Sequence, residues 1–269
     1  MFKPLRQYNY FRGRRAKRIY ELLGRKFRNA TDWRFMNYGF DFDDPSQRPT
    51  LLPTDEAERY CAQLYHVVAS QVDLTGKRVL DVGSGRGGGP SYIHRYLGPR
   101  QTIGLDWAES AMGFCTKVHA GIAGLEYKAG DAQNLPFAAA KFDVVTNVES
   151  AHCYSDAARF YAEAWRVLKP GGHLLYADFG PSGCHHTILS DLADAGFQIT
   201  TCRDITANIL RGLRLDHDRR HAGIQKRFPR GTRRLAGLWA GTKGSVIFRD
   251  FDSGAREYYL YHVVKPDSR

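Results

Sequence analysis

Long hydrophobic runs are missing from this 269-residue chain. No stretch approaches about 18 uncharged apolar residues, so a membrane-spanning helix is excluded. The first residues lack an apolar core of the secretory type, so a signal peptide is not expected. Cysteine is scarce: Cys61, Cys115, Cys153, Cys184 and Cys202 are odd in number, widely spaced and without a C-x-x-C pair. That argues against a disulfide framework and a zinc module. It fits small buried hydrophobes in a reducing, cytoplasmic compartment. Internal repeats and low-complexity segments are also absent. The remaining composition is that of a globular protein long enough to bury a proper core.

Acidic residues are in deficit, and unevenly so. The net charge of +11 is concentrated in two places. Residues 1–30 hold ten Lys/Arg against the single acid Glu21, and residues 203–234 hold ten against three acids. The rest of the chain is mildly acidic. Such patches attract phosphates on nucleic acid, lipid headgroups or a diphosphate substrate, or serve only as solvated surface.

Residues 3–28 have the pattern of one basic amphipathic helix, with Leu5, Tyr8, Phe11, Arg15, Ile19, Leu22 and Phe27 recurring mostly at three- and four-residue steps and mostly apolar. Such a helix docks on the body of its own chain, on a membrane surface or across an oligomer interface, so a homo-oligomer is expected. Pro45, Pro49 and Pro53 punctuate a loop over 29–53 that carries Trp33, Phe35, Tyr38, Phe40 and Phe42. Thr54 is read as the N-cap of a helix reaching about Val72. Residues 1–53 are therefore taken as a basic helix and aromatic lid, and 54–269 as the main domain. In that domain short apolar runs alternate with helical patterns: Arg78–Val82, Thr102–Asp106, Leu125–Ala129, Phe142–Asn147, His173–Asp178 and Phe197–Cys202. A last strand, Arg256–Val264, is expected to be antiparallel. The fold class is α/β: a Rossmann-like, doubly wound, seven-stranded and mostly parallel sheet. An N-terminal helical extension precedes it, and a basic helical insert at about 204–241 comes before the last strand.

Directly after the first strand runs Gly83-Ser84-Gly85-Arg86-Gly87-Gly88-Gly89. Glycines there permit a tight turn and close backbone approach to a ligand at a helix N-terminus. Asp81, two residues earlier, would repel a pyrophosphate. It suits structuring the loop or meeting a cationic amine. Asp106 closes the second strand, where a carboxylate can hold ribose hydroxyls, and Asp131 closes the third, where it can face an adenine amino group. Together with Gly104-Leu105-Asp106, Gly130-Asp131-Ala132, Leu135-Pro136-Phe137, Phe142-Asp143-Val144-Val145 and Val167-Leu168-Lys169-Pro170-Gly171-Gly172, this loop makes residues 77–180 resemble the core of class I S-adenosylmethionine-dependent methyltransferases. A narrower likeness lies in Asn147-Val148-Glu149-Ser150-Ala151-His152-Cys153-Tyr154, in Phe35-Met36-Asn37-Tyr38-Gly39-Phe40 and in Leu64-Tyr65-His66. These resemble the phthiotriol and phenolphthiotriol dimycocerosate methyltransferases and related natural-product methyltransferases, over roughly residues 33–180. The resemblance implies S-adenosyl-L-methionine as cofactor. Its expected site comprises Asp81, Gly83, Gly85, Gly87, Asp106, Trp107, Asp131, Ala132 and Asn147, with Tyr38 folding over the methionine end.

Methyl transfer to a hydroxyl needs an aligned acceptor and a base for its proton, and histidine is the usual base. Residues after the fourth strand lie at the ligand-binding edge of such a sheet. His152 is read there as the base and Glu149 as a group orienting the cofactor or the imidazole, with Tyr154 shaping the pocket. Asp178 is read either as pocket-facing or as a strand-end residue bonded to loop amides. His185-His186 and the i, i+4 pair His217 and His221 have no thiol or obvious carboxylate set, so no metal is assigned. The expected activity is transfer to a hydroxyl of a lipid-like or secondary-metabolite small molecule. The alternative is C-methylation of a prenyl double bond, in which aromatic faces stabilise a carbocation and the arginines of 203–234 hold a diphosphate. An RNA methyltransferase is less expected, for want of an RNA-binding module. A non-catalytic scaffold conflicts with the intact glycine loop. No membrane span is expected, although peripheral contact is compatible with the basic helix.

Overall fold

The computed structural model describes residues 12–267. Seven strands form one sheet: β1 (Arg78–Val82), β2 (Gln101–Asp106), β3 (Leu125–Ala129), β4 (Phe142–Val148), β5 (Leu168–Pro181), β6 (Gln198–Asp204) and β7 (Arg256–Val264). Their order is β3-β2-β1-β4-β5-β7-β6, with β1 to β5 parallel and β7 antiparallel to both β5 and β6. Parallel neighbours require crossovers, which are supplied by α3 (Gly88–Leu97), α4 (Glu109–Val118) and α5 (Ala157–Val167). The chain moves outward from β1 through β2 to β3, then returns to place β4 on the other side of β1. The strand order reverses between β1 and β4, where α/β sheets bind ligands beyond the strands' carboxyl ends.

Both sheet faces are buried, so the central strands are continuously apolar. On one face Val79, Val144, Leu175 and Leu260 pack with α2 (Arg59–Ala69), α3 and the aromatic segment from Phe35 to Phe42. On the other, Leu80, Val145, Leu174 and Tyr261 pack with Phe160, Ala164 and Val167 of α5 and with Leu192 of α6 (Cys184–Asp194). β5 begins at Leu168 and takes in Lys169-Pro170-Gly171-Gly172. The extra length is absorbed as an irregularity between the Phe142↔Leu168 and Val144↔His173 pairs.

Elsewhere the chain departs from the sequence reading. Within the described residues the basic helix is α1 (Arg14–Lys26); Leu5, Tyr8 and Phe11 lie outside them. Its inner face packs on α4 of the same chain, where Ser110 Oγ donates to the Glu21 carbonyl at 3.1 Å. Thr54 does not cap a helix. A 3₁₀ turn at Glu56–Glu58 precedes α2, because Asp55 and Glu58 turn inward to bind Arg34. Cys184 is only partly buried and Cys202 is exposed, unlike the other three thiols, because their helix and strand lie toward the sheet's outer edge. The insert before β7 is longer than 204–241. It holds α7 (Thr206–Leu215), α8 (His217–Arg227), α9 (Arg233–Trp239) and α10 (Val246–Asp252).

Many of the insert's arginines turn inward as well. Arg211 binds Asp41 and Asp43, Arg219 and Arg220 bind Asp216, Arg214 binds Asp252, and Lys226 and Arg227 bind Asp32. Arg211, Lys226 and Arg227 thus clamp the insert to residues 32–43, while Arg214, Arg219 and Arg220 tie it to itself. No described helix is long and apolar enough to cross a membrane.

Candidate active site

A cleft of about 990 Å³, its open mouth included, lies over the β1–β4 switch point. Its floor is the loop after β1. Gly83, Gly85 and Gly87 all have φ between 53° and 81°, the left-handed region that glycine enters without strain. Space also demands glycine at position 83, where a Cβ would stand 1.9 Å from Ser150 Oγ. One wall is Leu105, Asp106, Trp107 and Ala108 after β2, with Gly130 and Ala132 after β3. The other is Val148, Glu149, Ser150, Cys153 and Tyr154 after β4. Tyr20, Leu23 and Gly24 of α1, with Trp33, Phe35 and Met36, form the cover.

Buried carboxyls give the cleft its electrostatics. Asp106 accepts from the Gly85 amide at 2.9 Å through one oxygen and from the Ala108 amide at 3.0 Å through the other, with the Trp107 amide a third donor. A carboxylate offers about four acceptor positions, so one remains for a ribose hydroxyl. Burial pushes its pKa up to about 6. Glu149 follows β4 in a left-handed conformation (φ 50°), unusual for a residue with a Cβ and frequent at functional sites. That turn tips its carboxyl into the cleft wall, where it accepts from the Tyr38 amide at 2.8 Å. Burial raises its pKa to about 8, so it is largely protonated at neutral pH.

His152 sits in a 3₁₀ turn, Ala151–Cys153, between the cleft residues Ser150 and Cys153, and is not itself among the residues lining the cleft. Its Nδ1 lies 2.7 Å from Asp178 Oδ1, and its amide donates to Asp178 Oδ2 at 2.9 Å. Asp178, on β5, is 2% exposed and also accepts from Tyr176 Oη and the Phe179 amide. With its lone pairs engaged by four donors, it fixes the imidazole's tilt. Burial alone would lower the imidazole pKa, but the Asp178 carboxylate outweighs it and drives the pKa well above the ordinary value. The imidazole lies 4.4 Å from the Phe179 ring, which continues into an aromatic wall of Tyr38, Phe251 and Tyr258.

The structure gathers Gly83, Gly85, Asp106, Trp107, Ala132 and Glu149 around the cleft. Others stand behind it. Gly87 turns the loop into α3. Asp81 is fully buried and accepts from Thr146 Oγ1 at 2.6 Å, with Tyr65 Oη at 3.5 Å. Asn147 ties β4 to β1 through the Val82 carbonyl and also donates to Tyr154 Oη. Asp131 is exposed on a neighbouring groove. The Tyr38 ring packs on Phe179 and Phe251 in the core. The sequence reading left two partners unassigned. One is Asp178 as the imidazole's acceptor. The other is Arg86, whose guanidinium donates to the carbonyls of Phe27, Ala30 and Trp33 and so fastens the cover to the glycine loop. An arginine inside a glycine loop was the available signal. Among the described residues no His, Cys, Asp or Glu cluster is arranged to hold a metal.

Comparison with known proteins agrees with this geometry. Residues 80–176 match the family model described as a methyltransferase domain. The chain is 39% identical over 231 residues to the phthiotriol/phenolphthiotriol dimycocerosates methyltransferase of Mycobacterium leprae, covering 86% of this chain and 85% of that protein. It is 38% identical over 252 residues to the fatty-acid O-methyltransferase of Mycolicibacterium smegmatis, covering 93% and 89%. Among solved structures the fold is similar to the [4+2]-cyclase SpnF, with a TM-score of 0.73 and 21% identity over 96% of this chain and 97% of that one.

Proposed function

Because the chain belongs to the S-adenosylmethionine-dependent methyltransferases, we propose that it methylates a hydroxyl of a lipid-like or secondary-metabolite small molecule, with His152 as base. The observation that carries this reading is the 2.7 Å contact of His152 Nδ1 with Asp178. An anchored Nδ1 leaves Nε2 to take the acceptor's proton, the arrangement a general base needs. Asp178 holds the ring and stabilises the imidazolium that results.

The cleft's donors fit the cofactor. Gly83 and Gly85 leave room for close approach, Asp106 has an acceptor position for a ribose hydroxyl, and Trp107, Gly130 and Ala132 would flank the adenine. Glu149 would face the cationic methionine end. Asp81, Asn147 and Tyr38 would act by holding the loop and the Glu149 carboxyl in place, and Asp131 from the groove beyond the adenine side. The bound cofactor supplies an electrophilic methyl on a sulfonium. The chain's own part is to align the acceptor, keep water out beneath the α1 cover and remove one proton.

The relatives' names support a lipid acceptor. C-methylation of a prenyl diphosphate is less favoured. Phe40 and Phe42 pack on each other in the core, and the insert's arginines are largely engaged by the chain's own carboxylates. A carboxylate acceptor is a second reading, favoured by the raised imidazole pKa, because an imidazolium attracts an anion. The test is incubation with methyl-labelled cofactor and a total lipid extract. An alkali-stable O-methyl product carries the proposal; an alkali-labile ester supports the second reading. A product methylated at carbon, or no organic-soluble label, overturns both.

A further inference from the structure

Two basic segments far apart in sequence meet in space. The rings of Phe27, at the end of α1, and Phe228, just after α8, lie 5.0 Å apart, and the Lys26 ammonium sits over both. Lys226 and Arg227 bind Asp32 beside this junction.

At about 100° per residue, Arg14, Arg25, Arg18, Leu22, Arg15 and Lys26 follow one another around a single side of α1. All six are exposed. Ala16, Gly24 and Phe27 turn inward, and Tyr20, Leu23 and Gly24 line the cleft. The back of α1 is therefore a wall of the active site, while its front is a cationic stripe. Unlike the insert's paired arginines, Arg14, Arg15, Arg18 and Lys26 have no carboxylate within ion-pair distance among the described residues; Arg25 has Glu21. Across the aromatic junction, Arg230 and Arg234 are exposed as well.

The apolar side chains within this surface identify its partner. Leu22 and Leu235 are the two most exposed large hydrophobic residues described, at 66% and 60%, one in α1 and one in the basic helical insert. A nucleic acid would use the cations and leave an aliphatic side chain without a role. At an anionic bilayer the cations meet lipid phosphates while leucine enters the acyl boundary.

We propose that the outer face of α1, with Arg230, Arg234 and Leu235, docks on the surface of an anionic lipid bilayer and holds the covered cleft beside it. The docking rests on this surface alone and not on the acceptor's identity.

The test is sedimentation of the full chain with vesicles of phosphatidylcholine alone or mixed with phosphatidylglycerol. Binding is expected only to the anionic vesicles, weakening with salt. Replacing Arg14→Gln, Arg15→Gln and Arg18→Gln together should weaken it on the order of 100-fold, from the worth of each cation near such a surface. Unchanged S-adenosylhomocysteine affinity in calorimetry shows that the variant is folded. Should that affinity fall, Leu22→Ser decides, with an expected several-fold loss of vesicle binding that persists at high salt. No sedimentation of the wild type with anionic vesicles overturns the proposal. So does vesicle binding unchanged in the folded triple variant or in Leu22→Ser. Tighter binding to an RNA oligonucleotide than to the vesicles also overturns it, in favour of a nucleic-acid surface.

Discussion

His152 has two possible uses for a raised pKa, and pH separates them. A hydroxyl acceptor needs the neutral imidazole, so kcat/KM should climb with pH until the raised pKa is passed. A carboxylate acceptor needs no proton removed and is attracted by the imidazolium, so its rate should fall over the same interval. In the first case His152→Ala should lower kcat by about 10²- to 10⁴-fold, while S-adenosylhomocysteine affinity in calorimetry stays unchanged. Asp178→Asn removes the anion that raises the imidazole pKa. It should move the climb to lower pH and cost less in rate than His152→Ala. An unmoved pH profile would show that the 2.7 Å contact only supports structure. His152 is legible in the sequence because Asn147–Tyr154 carries the family likeness. Its partner is not, because Asp178 reaches it only through the pairing of β4 with β5. Glu149's place at the sheet edge after β4 was legible, but its left-handed backbone and its bond to the Tyr38 amide were not.

The cover is an element made by one side chain of another element. Arg86 is 3% exposed, stacked 3.9 Å from the Phe114 ring, with three backbone carbonyls as acceptors. Removing it orphans those acceptors at about 1–3 kcal/mol apiece before relaxation, and water recovers part of that at the surface. Arg86→Ala should therefore loosen α1 and residues 27–33 without unfolding the sheet. The checks are new trypsin cleavage after the exposed basic residues of α1 and roughly tenfold weaker S-adenosylhomocysteine binding, about 1.4 kcal/mol. Arg86→Lys should rescue little, since one ammonium cannot reproduce the planar fork. Protease resistance and affinity equal to wild type would show that α1 holds itself on α4. At this scale the sheet was readable: Arg78–Val82, Leu125–Ala129 and Arg256–Val264 are strands to the residue. Their apolar runs are dictated by burial on two faces. The start of α2 was misread because Thr54 offers the right local chemistry for a cap. The tertiary pull of Arg34 on Asp55 and Glu58 overrides it.

Across the whole molecule the buried carboxyls make the fold lose stability as pH rises past neutrality when the cofactor is absent. Burial raises Glu149 to about 8, Asp81 to about 7 and Asp106 to about 6. A carboxyl whose pKa is higher folded than unfolded binds its proton more tightly in the native state. Its contribution is complete below the unfolded pKa and is lost as pH rises through the folded one. His152 has the same sign, since its folded pKa is also raised. Opposing groups act on the acid side: burial lowers the imidazole pKa of His66, His119 (to about 4), His173 and His262, whose contribution is lost as pH falls below the ordinary imidazole range. Asp32, held at about 2 by Lys226 against the opposing effect of burial and with further help from Arg227, stabilises the fold above the ordinary carboxylate range and ceases to do so only in strong acid. Above about pH 6.5, where those histidines are neutral in both states, the raised groups dominate, and the Tm of the ligand-free protein should fall from there to about pH 8. S-adenosylmethionine brings a positive charge toward Glu149 in the proposed arrangement. It should favour the ionised carboxyl and raise Tm more at pH 8 than at pH 5, with an affinity that increases over the same range. The measurement is a thermal melt at each pH with and without cofactor. A ligand-free Tm that is flat or rising through this window would mean that these carboxyls are ionised in the native cleft. A cofactor increment independent of pH would place the cation away from Glu149.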